Sequence, residues 1–208
     1  MITIKRLTII ILLFLSSFPI FGGDPMTKTN RVEKLVLGGG CFWCIEAVFD
    51  RIDGIVSTEV GYAGGNRENP TYEQVSTGLT GHAEVVKVEF DPSKISLSRV
   101  LDIFFEAHDP TTENRQGADV GTQYRSIILY TDESQRVPIE EKIKELDLHK
   151  KYDKPVVTQV GALKKFWPAE AYHQRYYEQH PYAGYCRVVI NPKLQKLGLS
   201  PESLIKGN

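Results

Sequence analysis

The sequence predicts one α/β domain of the α+β type, a single-domain two-layer sandwich in which helices cover a mixed sheet. The main reason is that strand and helix patterns follow one another without strict βαβ alternation. The chain has 208 residues, which is enough for one domain with a sizeable core. Its hydrophobic fraction of 41% and charged fraction of 25% are those of an ordinary globular protein, so no unusual class is indicated.

The first helix follows a glycine turn. KLVLGGG predicts a short strand and a turn, after which a helix begins at Cys41 and is closed by Gly54. Its apolar residues recur at helical spacing: Ile45, Val48, Phe49 and Ile52. IVSTEVGYAGG then predicts a strand that ends in a glycine-rich loop. The next stretch is rich in turn residues, and its helical signal is confined to residues 72–75.

The middle of the chain contains the clearest strand and the clearest helix. HAEVVKVEF alternates along its length, which predicts a strand with Glu84 on the same face as Val86 and Val88. That face is otherwise apolar. Ser96 then caps LSRVLDIFFEAHD, which predicts a helix with one apolar stripe.

The last third is predicted from weaker patterns. PTTENRQGADVG reads as a long polar loop and TQYRSIILYTD as a strand. Residues 132–150 predict an exposed helix despite Pro138. PVVTQVGAL predicts a strand, PAEAYHQRYYEQHP a helix, and YCRVVINP a final short strand. His173 and His180 lie seven residues apart among tyrosines, a pattern that favours packing over a metal pair.

Residues 1–23 are typical of a secretory signal peptide. Lys5 and Arg6 precede an apolar run over residues 7–21, which is too short for a comfortable transmembrane helix. We therefore expect a periplasmic or secreted protein, or a cytoplasmic one if translation starts at Met26.

Charge and cysteine content narrow the possible functions. The net charge of −1 gives no indication of a nucleic-acid partner. Three cysteines is an odd number, so at least one thiol is free or exchanging.

GGGCFWC combines two of these thiols with a helix start. The unpaired N–H groups there favour a thiolate, so we expect the pKa of Cys41 to be lowered and Cys41 to act as a nucleophile. Cys44 lies one turn further and is either a second reactive thiol or a small buried side chain. C-x-x-C after a strand is also the thioredoxin pattern, which leaves a disulfide oxidoreductase as a second hypothesis.

Six motifs in order resemble the peptide-methionine (S)-S-oxide reductase family: GGGCFWC, GYAGG, PTYEQV, TGHAEVV, DPTTENRQGADVGTQYRS, and PAEAYHQRYYEQHP followed by GYC. The resemblance covers the catalytic domain, residues 35–194, between a flexible leader (24–34) and a C-terminal tail (195–208). For the fold we expect a ferredoxin-like core within the sandwich. The resemblance implies reduction of methionine-S-sulfoxide in proteins, peptides or free methionine, without a metal or bound organic cofactor.

The resemblance also assigns the reacting groups. Cys41 corresponds to the nucleophile and Glu84 to the acid that protonates the sulfoxide oxygen. Tyr72 and Tyr124 correspond to the tyrosines that hydrogen-bond this oxygen. Cys186 corresponds to the resolving cysteine that forms a disulfide with the oxidised nucleophile, and a thioredoxin-type reductant then regenerates both thiols.

Three further residues correspond to the substrate pocket. Phe42 and Trp43 match the walls around the substrate methyl group, and Asp119 matches a polar position nearby. Cys44 is the alternative resolving thiol, although this position varies in the family and is often not cysteine. We expect a monomer that acts on oxidised proteins or peptides.

Physical chemistry supports these assignments. A sulfoxide sulfur is a poor electrophile until its oxygen is protonated, so the site needs a thiolate and a proton donor. Glu84 on an apolar strand face should have a raised pKa and remain protonated near neutrality. A third hypothesis, a domain that only binds methionine-rich peptides, predicts that Cys41→Ser is tolerated.

Overall fold

The computed structural model describes residues 32–200. The predicted signal peptide lies outside this range, as do residues 24–31 of the leader and residues 201–208 of the tail. The strands are β1 (Glu33–Gly38), β2 (Ile55–Ala63), β3 (Ala83–Phe90), β4 (Arg115–Gln116), β5 (Asp119–Val120), β6 (Ile127–Tyr130), β7 (Gln159–Ala162) and β8 (Phe166–Pro168). The α-helices are α1 (Phe42–Phe49), α2 (Tyr72–Ser76), α3 (Leu97–Ala107), α4 (Arg136–Leu148), α5 (Tyr176–Gln179) and α6 (Asn191–Lys196).

Six strands form one mixed sheet in the order β7-β6-β1-β3-β2-β8, and β4 and β5 form a separate small hairpin. β6 and β7 are parallel, and the other neighbours in the large sheet are antiparallel. The four central strands, in the order β6-β1-β3-β2, are connected through α1 and α3 as β-α-β-β-α-β. This is the ferredoxin-like core, and the predicted fold class is confirmed.

The core explains why the two central helices have different sequences. Seven of the eight residues of α1 are buried, so this helix is apolar on nearly every face. By contrast, α3 buries one stripe and exposes the other side. Its start is fixed as predicted, because the Ser96 hydroxyl accepts a hydrogen bond from the backbone N–H of Arg99 at 3.2 Å. Gly54 has φ +92°, the left-handed conformation expected where the α1 segment turns back.

The C-terminal part of the domain differs from its prediction in two places. Cys186–Ile190 forms a π-helix that runs into α6, and the predicted strand is wrong. Val188 and its β-branched neighbours favoured a strand. However, Cys186, Ile190 and Leu194 are each fully buried at a spacing of four residues, so packing of one helical face decides the conformation.

The helix predicted for PAEAYHQRYYEQHP is also wrong as one element. It divides into a 3₁₀ turn, Ala171–His173, and the short α5. Between them Arg175 takes a left-handed conformation with φ +52°, which no continuous helix allows.

In the middle of the chain, the predicted strand TQYRSIILYTD begins with a 3₁₀ turn, Thr122–Tyr124, and only its second half joins the sheet as β6.

After α6, Leu197 and Leu199 pack against the main core, and the backbone N–H of Leu199 donates to the carbonyl of Leu194 at 2.9 Å.

Within residues 32–200, no helix combines the length and hydrophobicity needed to cross a bilayer.

Candidate active site

The glycine turn between β1 and α1 brings two parts of the backbone close together. A Cβ atom on Gly38 would lie 2.8 Å from the carbonyl oxygen of Glu84. A Cβ atom on Gly40, which has φ +95°, would lie 2.6 Å from Cγ of Gln116. Side chains at these two positions would therefore push β1 away from β3 or displace the β4–β5 hairpin. The turn ends at Cys41, the N-cap residue of α1.

The start of α1 holds a carboxyl group from β3. The backbone N–H of Phe42 donates to Oε2 of Glu84 at 3.0 Å, although the two residues are 42 positions apart in sequence. Cys41 makes no capping hydrogen bond through its own side chain. The partial positive charge at this helix end is thus directed at Glu84.

Burial raises the pKa of the Cys41 thiol well above its ordinary value, and the neighbouring Cys44 and the charge of Glu84 add to the effect. The expectation that the helix start lowers this pKa is therefore wrong for the free protein. The reason is that the side chain is only 8% exposed and the nearest helix N–H group is bonded to Glu84. A bare thiolate is disfavoured until the charges around it change.

Glu84 is only 2% exposed, and burial raises the pKa of its carboxyl to about 8. The charges of Asp119 and Cys44 act in the same direction, whereas the N–H group of Phe42 opposes them. The side chain is therefore mostly protonated at pH 7, and the predicted neutral acid on the apolar face of β3 is confirmed.

Two tyrosines lie close to this acid. Tyr72 begins α2, and its backbone N–H donates to Oε1 of Glu170 at 2.9 Å, which fixes the helix start. Tyr124 ends the 3₁₀ turn before β6. Burial, followed by the charge of Glu84, raises the pKa of both phenols, so both remain hydroxyl donors over the working pH range.

Aromatic rings surround the start of α1. Trp43 stacks on Tyr176 with a centroid distance of 3.8 Å and an interplanar angle of 10°. Phe42 lies 5.1 Å from the ring of His173, which also contacts Tyr72 at 4.5 Å. These rings form an apolar wall that Phe42 and Trp43 share with the C-terminal segment, which fits an S-methyl group.

Three polar atoms in this wall are buried without a hydrogen-bond partner among the described residues. They are both ring nitrogens of His173 and Nε1 of Trp43. Burial lowers the pKa of His173, so the imidazole is neutral. The histidine packs against aromatic rings, as the sequence indicated. In the described part of the chain no group of three acidic, histidine or cysteine side chains is arranged to hold a metal ion.

The second thiol lies directly beside the first. A hydrogen bond from Cys41 lowers the pKa of Cys44 to about 7, against the effect of burial. The Tyr185 hydroxyl lies 3.6 Å from the Cys44 sulfur and donates to Oδ2 of Asp119 at 2.9 Å. Asp119 is thereby held near the thiols and Glu84, close to its predicted place.

Cys186 follows Tyr185 at the start of the π-helix and is fully buried. Burial raises the pKa of its thiol, and the charge of Cys44 adds to this effect. All three cysteines are free. In the folded protein Cys186 therefore lies inside the core, near the thiol of Cys44.

Sequence reasoning missed Tyr185 and Glu170. Tyr185 precedes Cys186 in the GYC motif, so its position was the available signal. Glu170 accepts from the Tyr62 hydroxyl at 2.8 Å as well as from the backbone of Tyr72. No local sequence pattern could identify Glu170, because the strand β2 and the helix α2 that it joins lie about a hundred residues earlier in the chain.

Comparison with known proteins decides the family. The model of the family described as peptide methionine sulfoxide reductase matches residues 33–202. This chain belongs to that family. It is 56% identical to the peptide methionine sulfoxide reductase MsrA of Nautilia profundicola over 79% of this chain and 94% of the relative.

Solved structures of the family share the fold. Mxr1 from Saccharomyces cerevisiae in reduced form is 34% identical, with a TM-score of 0.71 over 75% of this chain and 90% of that chain. Mxr1 has also been solved in complex with Trx2, and that structure is 25% identical with a TM-score of 0.51. It covers 71% of this chain and 86% of Mxr1. The family membership makes this chain an enzyme, an oxidoreductase that acts on a sulfur group.

Proposed function

We propose that this enzyme reduces methionine-S-sulfoxide, in proteins, peptides or free methionine, with Cys41 as nucleophile and Glu84 as general acid. The observation that carries the proposal is the Glu84 carboxyl, bound to the first N–H of α1 beside Cys41 and neutral at pH 7. A thiol and a protonated acid at one helix start are the two groups that sulfoxide reduction needs.

The chemical step is a two-electron transfer from the thiolate. The Cys41 sulfur attacks the sulfoxide sulfur while Glu84 gives its proton to the oxygen, supported by hydrogen bonds from Tyr72 and Tyr124. The attack forms a bond between the two sulfurs. The substrate S–O bond then breaks, the oxygen with its proton is transferred to the Cys41 sulfur, and the sulfur–sulfur bond breaks as methionine leaves. Cys41 is left as a sulfenic acid and Glu84 as a carboxylate. Protonated Glu84 carries no charge, which removes one of the causes that raise the pKa of Cys41.

The aromatic wall provides selectivity between the two sulfoxide epimers. The S-methyl group packs on Phe42 and Trp43, while the oxygen points at Glu84 and the tyrosines. In the R epimer methyl and oxygen exchange places, so a polar oxygen would meet the rings and the donors would be left unpaired. Such mismatches discriminate strongly, because a buried donor without a partner is costly.

The sulfenic acid is resolved by a second thiol, which forms a disulfide and releases water. The resemblance gives this role to Cys186, and that assignment stays a prediction. Cys186 is fully buried, and the thiol whose charge acts on it is Cys44. Cys44 is the alternative that the contacts favour, because it already hydrogen-bonds Cys41 and has the lower pKa of the two.

A thioredoxin-type dithiol then reduces the disulfide by exchange. Support for this partner comes from the relative Mxr1, which was solved in complex with Trx2. We further propose that the enzyme works as a monomer in the periplasm or outside the cell, with an exported thioredoxin-like reductant. Export depends on the N-terminal segment 1–23, which has the composition of a signal peptide.

The test follows both epimers of a methionine-sulfoxide peptide with dithiothreitol as the sole reductant. We expect loss of the S epimer only, and Cys41→Ser should lower the rate at least about 10⁴-fold because no other group replaces the nucleophile. Reduction of insulin disulfides without loss of either epimer would instead support the disulfide oxidoreductase. Full tolerance of Cys41→Ser would support a domain that only binds peptide.

A further inference from the structure

Glu46 is a buried carboxyl that the proposed mechanism does not use. It lies on α1 and is 1% exposed. Its Oε1 accepts a hydrogen bond from the backbone N–H of Arg175 at 3.0 Å. Its Oε2 is buried without a hydrogen-bond partner among the described residues. Because burying an acid with one free oxygen costs stability, its place in the core calls for a compensating role.

The bond to Arg175 supports an irregular piece of backbone. Arg175 has φ +52° and ψ +37°, a conformation that residues other than glycine rarely adopt. It is the N-cap of α5, which has four residues and receives no capping bond from the Arg175 side chain. A single helical turn is not stable alone, so its free N–H groups need an acceptor from elsewhere. Glu46 is that acceptor for Arg175, and the nearby N–H group of Tyr176 also acts to lower the pKa of its carboxyl.

The residue after this turn is part of the substrate pocket. Tyr176 stacks face to face on Trp43, which lies three positions before Glu46 and so on the same side of α1. Helix α1 therefore contacts the C-terminal segment at two points, through the Glu46 carboxyl and through the Trp43 ring. A shift of the Arg175 turn would carry the Tyr176 ring away from Trp43.

We propose that Glu46 is a positioning residue for the substrate pocket: it fixes the left-handed turn at Arg175 and thereby holds Tyr176 against Trp43. This rests on the proposed function only for its kinetic consequence, since the ring geometry can be measured without substrate. Burial raises the pKa of the Glu46 carboxyl to about 8, so the group is mostly neutral at pH 7 and glutamine is a close replacement.

The experiment compares Glu46→Gln, which keeps an acceptor oxygen, with Glu46→Leu, which fills the space without one. Glu178→Gln is the matched control, because it removes the side-chain ion pair of Arg175 and leaves its backbone bond to Glu46. All variants are made in a Trp167→Phe background, so that Trp43 is the one remaining tryptophan and its emission reports the stack on Tyr176. Emission, KM and kcat are measured with the methionine-sulfoxide peptide and dithiothreitol.

We expect Glu46→Leu to raise KM about tenfold, the equivalent of one hydrogen bond, and to change Trp43 emission without substrate. The kcat value should stay within about twofold, because the reacting pair is untouched. Glu46→Gln and Glu178→Gln should resemble the parent in all three quantities. Arg175→Gly should partly restore KM in Glu46→Leu, because glycine adopts the left-handed turn without support.

Three results would overturn the proposal. The first is unchanged KM and emission in Glu46→Leu with only a lower melting temperature. The second is a Glu46→Gln variant as impaired as Glu46→Leu, and the third is an equal effect of Glu178→Gln. If the parent protein reduced no sulfoxide, the proposed function would fail, whereas the emission comparison would still test the positioning role.

Discussion

The two halves of the site are built in different ways. The proposed reacting pair stands on regular elements at the centre of the fold, Cys41 at the start of α1 and Glu84 on β3. The opposite wall is formed by the rings of His173, Tyr176 and Tyr185. They lie in a segment where a 3₁₀ turn, a left-handed residue, a one-turn helix and a π-helix follow one another. The register of the sheet therefore sets the position of Glu84, whereas the position of the aromatic wall depends on its contacts with α1.

Replacement of the acid tests the half built on the sheet. Glu84→Gln keeps the shape and can still accept the hydrogen bond from Phe42, but it donates no acid proton. We expect turnover with dithiothreitol to fall by about 10²–10⁴-fold, the usual contribution of general acid catalysis. Glu73→Gln in the same assay is a control, because this residue lies on an exposed part of α2.

The pH dependence of the rate tests the same role of Glu84, because the expected direction of change differs between the parent enzyme and Glu84→Gln. The active form needs Cys41 ionised and Glu84 protonated, yet the pKa of Cys41 lies above that of Glu84, which is about 8. The rate of the parent enzyme should therefore rise with pH up to about 8, level off, and fall above the pKa of Cys41. In Glu84→Gln the rate should keep rising as Cys41 ionises. An unchanged plateau near pH 8 in the variant would remove Glu84 from the role of acid.

Replacement of Cys44 and of Cys186 tests which of the two thiols resolves the sulfenic acid. With Cys44 as the resolving thiol, Cys44→Ser should lower thioredoxin-dependent turnover at least about tenfold, since the sulfenic acid loses its neighbouring thiol. Cys186→Ser should have a smaller effect. Both variants should still release one methionine per enzyme in a single turnover without reductant.

Mass spectrometry of the enzyme after that single turnover identifies the disulfide. A Cys41–Cys44 bond in the parent would agree with the contacts of the folded protein. A Cys41–Cys186 bond, with turnover lost in Cys186→Ser and kept in Cys44→Ser, would confirm the assignment by resemblance. It would also show that Cys186 reaches Cys41 during the cycle.

The sequence predicted the half of the site that is built on the sheet better than the C-terminal half. The alternation in HAEVVKVEF placed Glu84 on the buried face, and burial alone then sets the direction of its pKa. The direction of the pKa shift of Cys41 could not be predicted, because it comes mainly from burial and because the N–H group of Phe42 bonds to Glu84, 42 positions further along the chain. Only the three-dimensional pairing of α1 with β3 contains that information.

The C-terminal errors have a local cause. The β-branched run Val188, Val189 and Ile190 favours a strand, and no short-range signal opposes it. The spacing of four residues between Cys186, Ile190 and Leu194 fits a helix, but it points to one only once all three side chains are known to be buried. Arg175 carries no sequence mark of its left-handed conformation, because the acceptor that supports it lies on α1.

The smallest expected effect distinguishes helix from strand at this place. In a strand, Val188 and Ile190 would share one face and be buried together, since side chains repeat every two residues. In the π-helix Ile190 is fully buried and Val188 is 74% exposed. Ile190→Ala should therefore lower the free energy of unfolding by about 2–5 kcal/mol, and Val188→Ala by about 0.5 kcal/mol or less. Urea unfolding under reducing conditions measures both, and equal losses would mean that the segment is a strand after all.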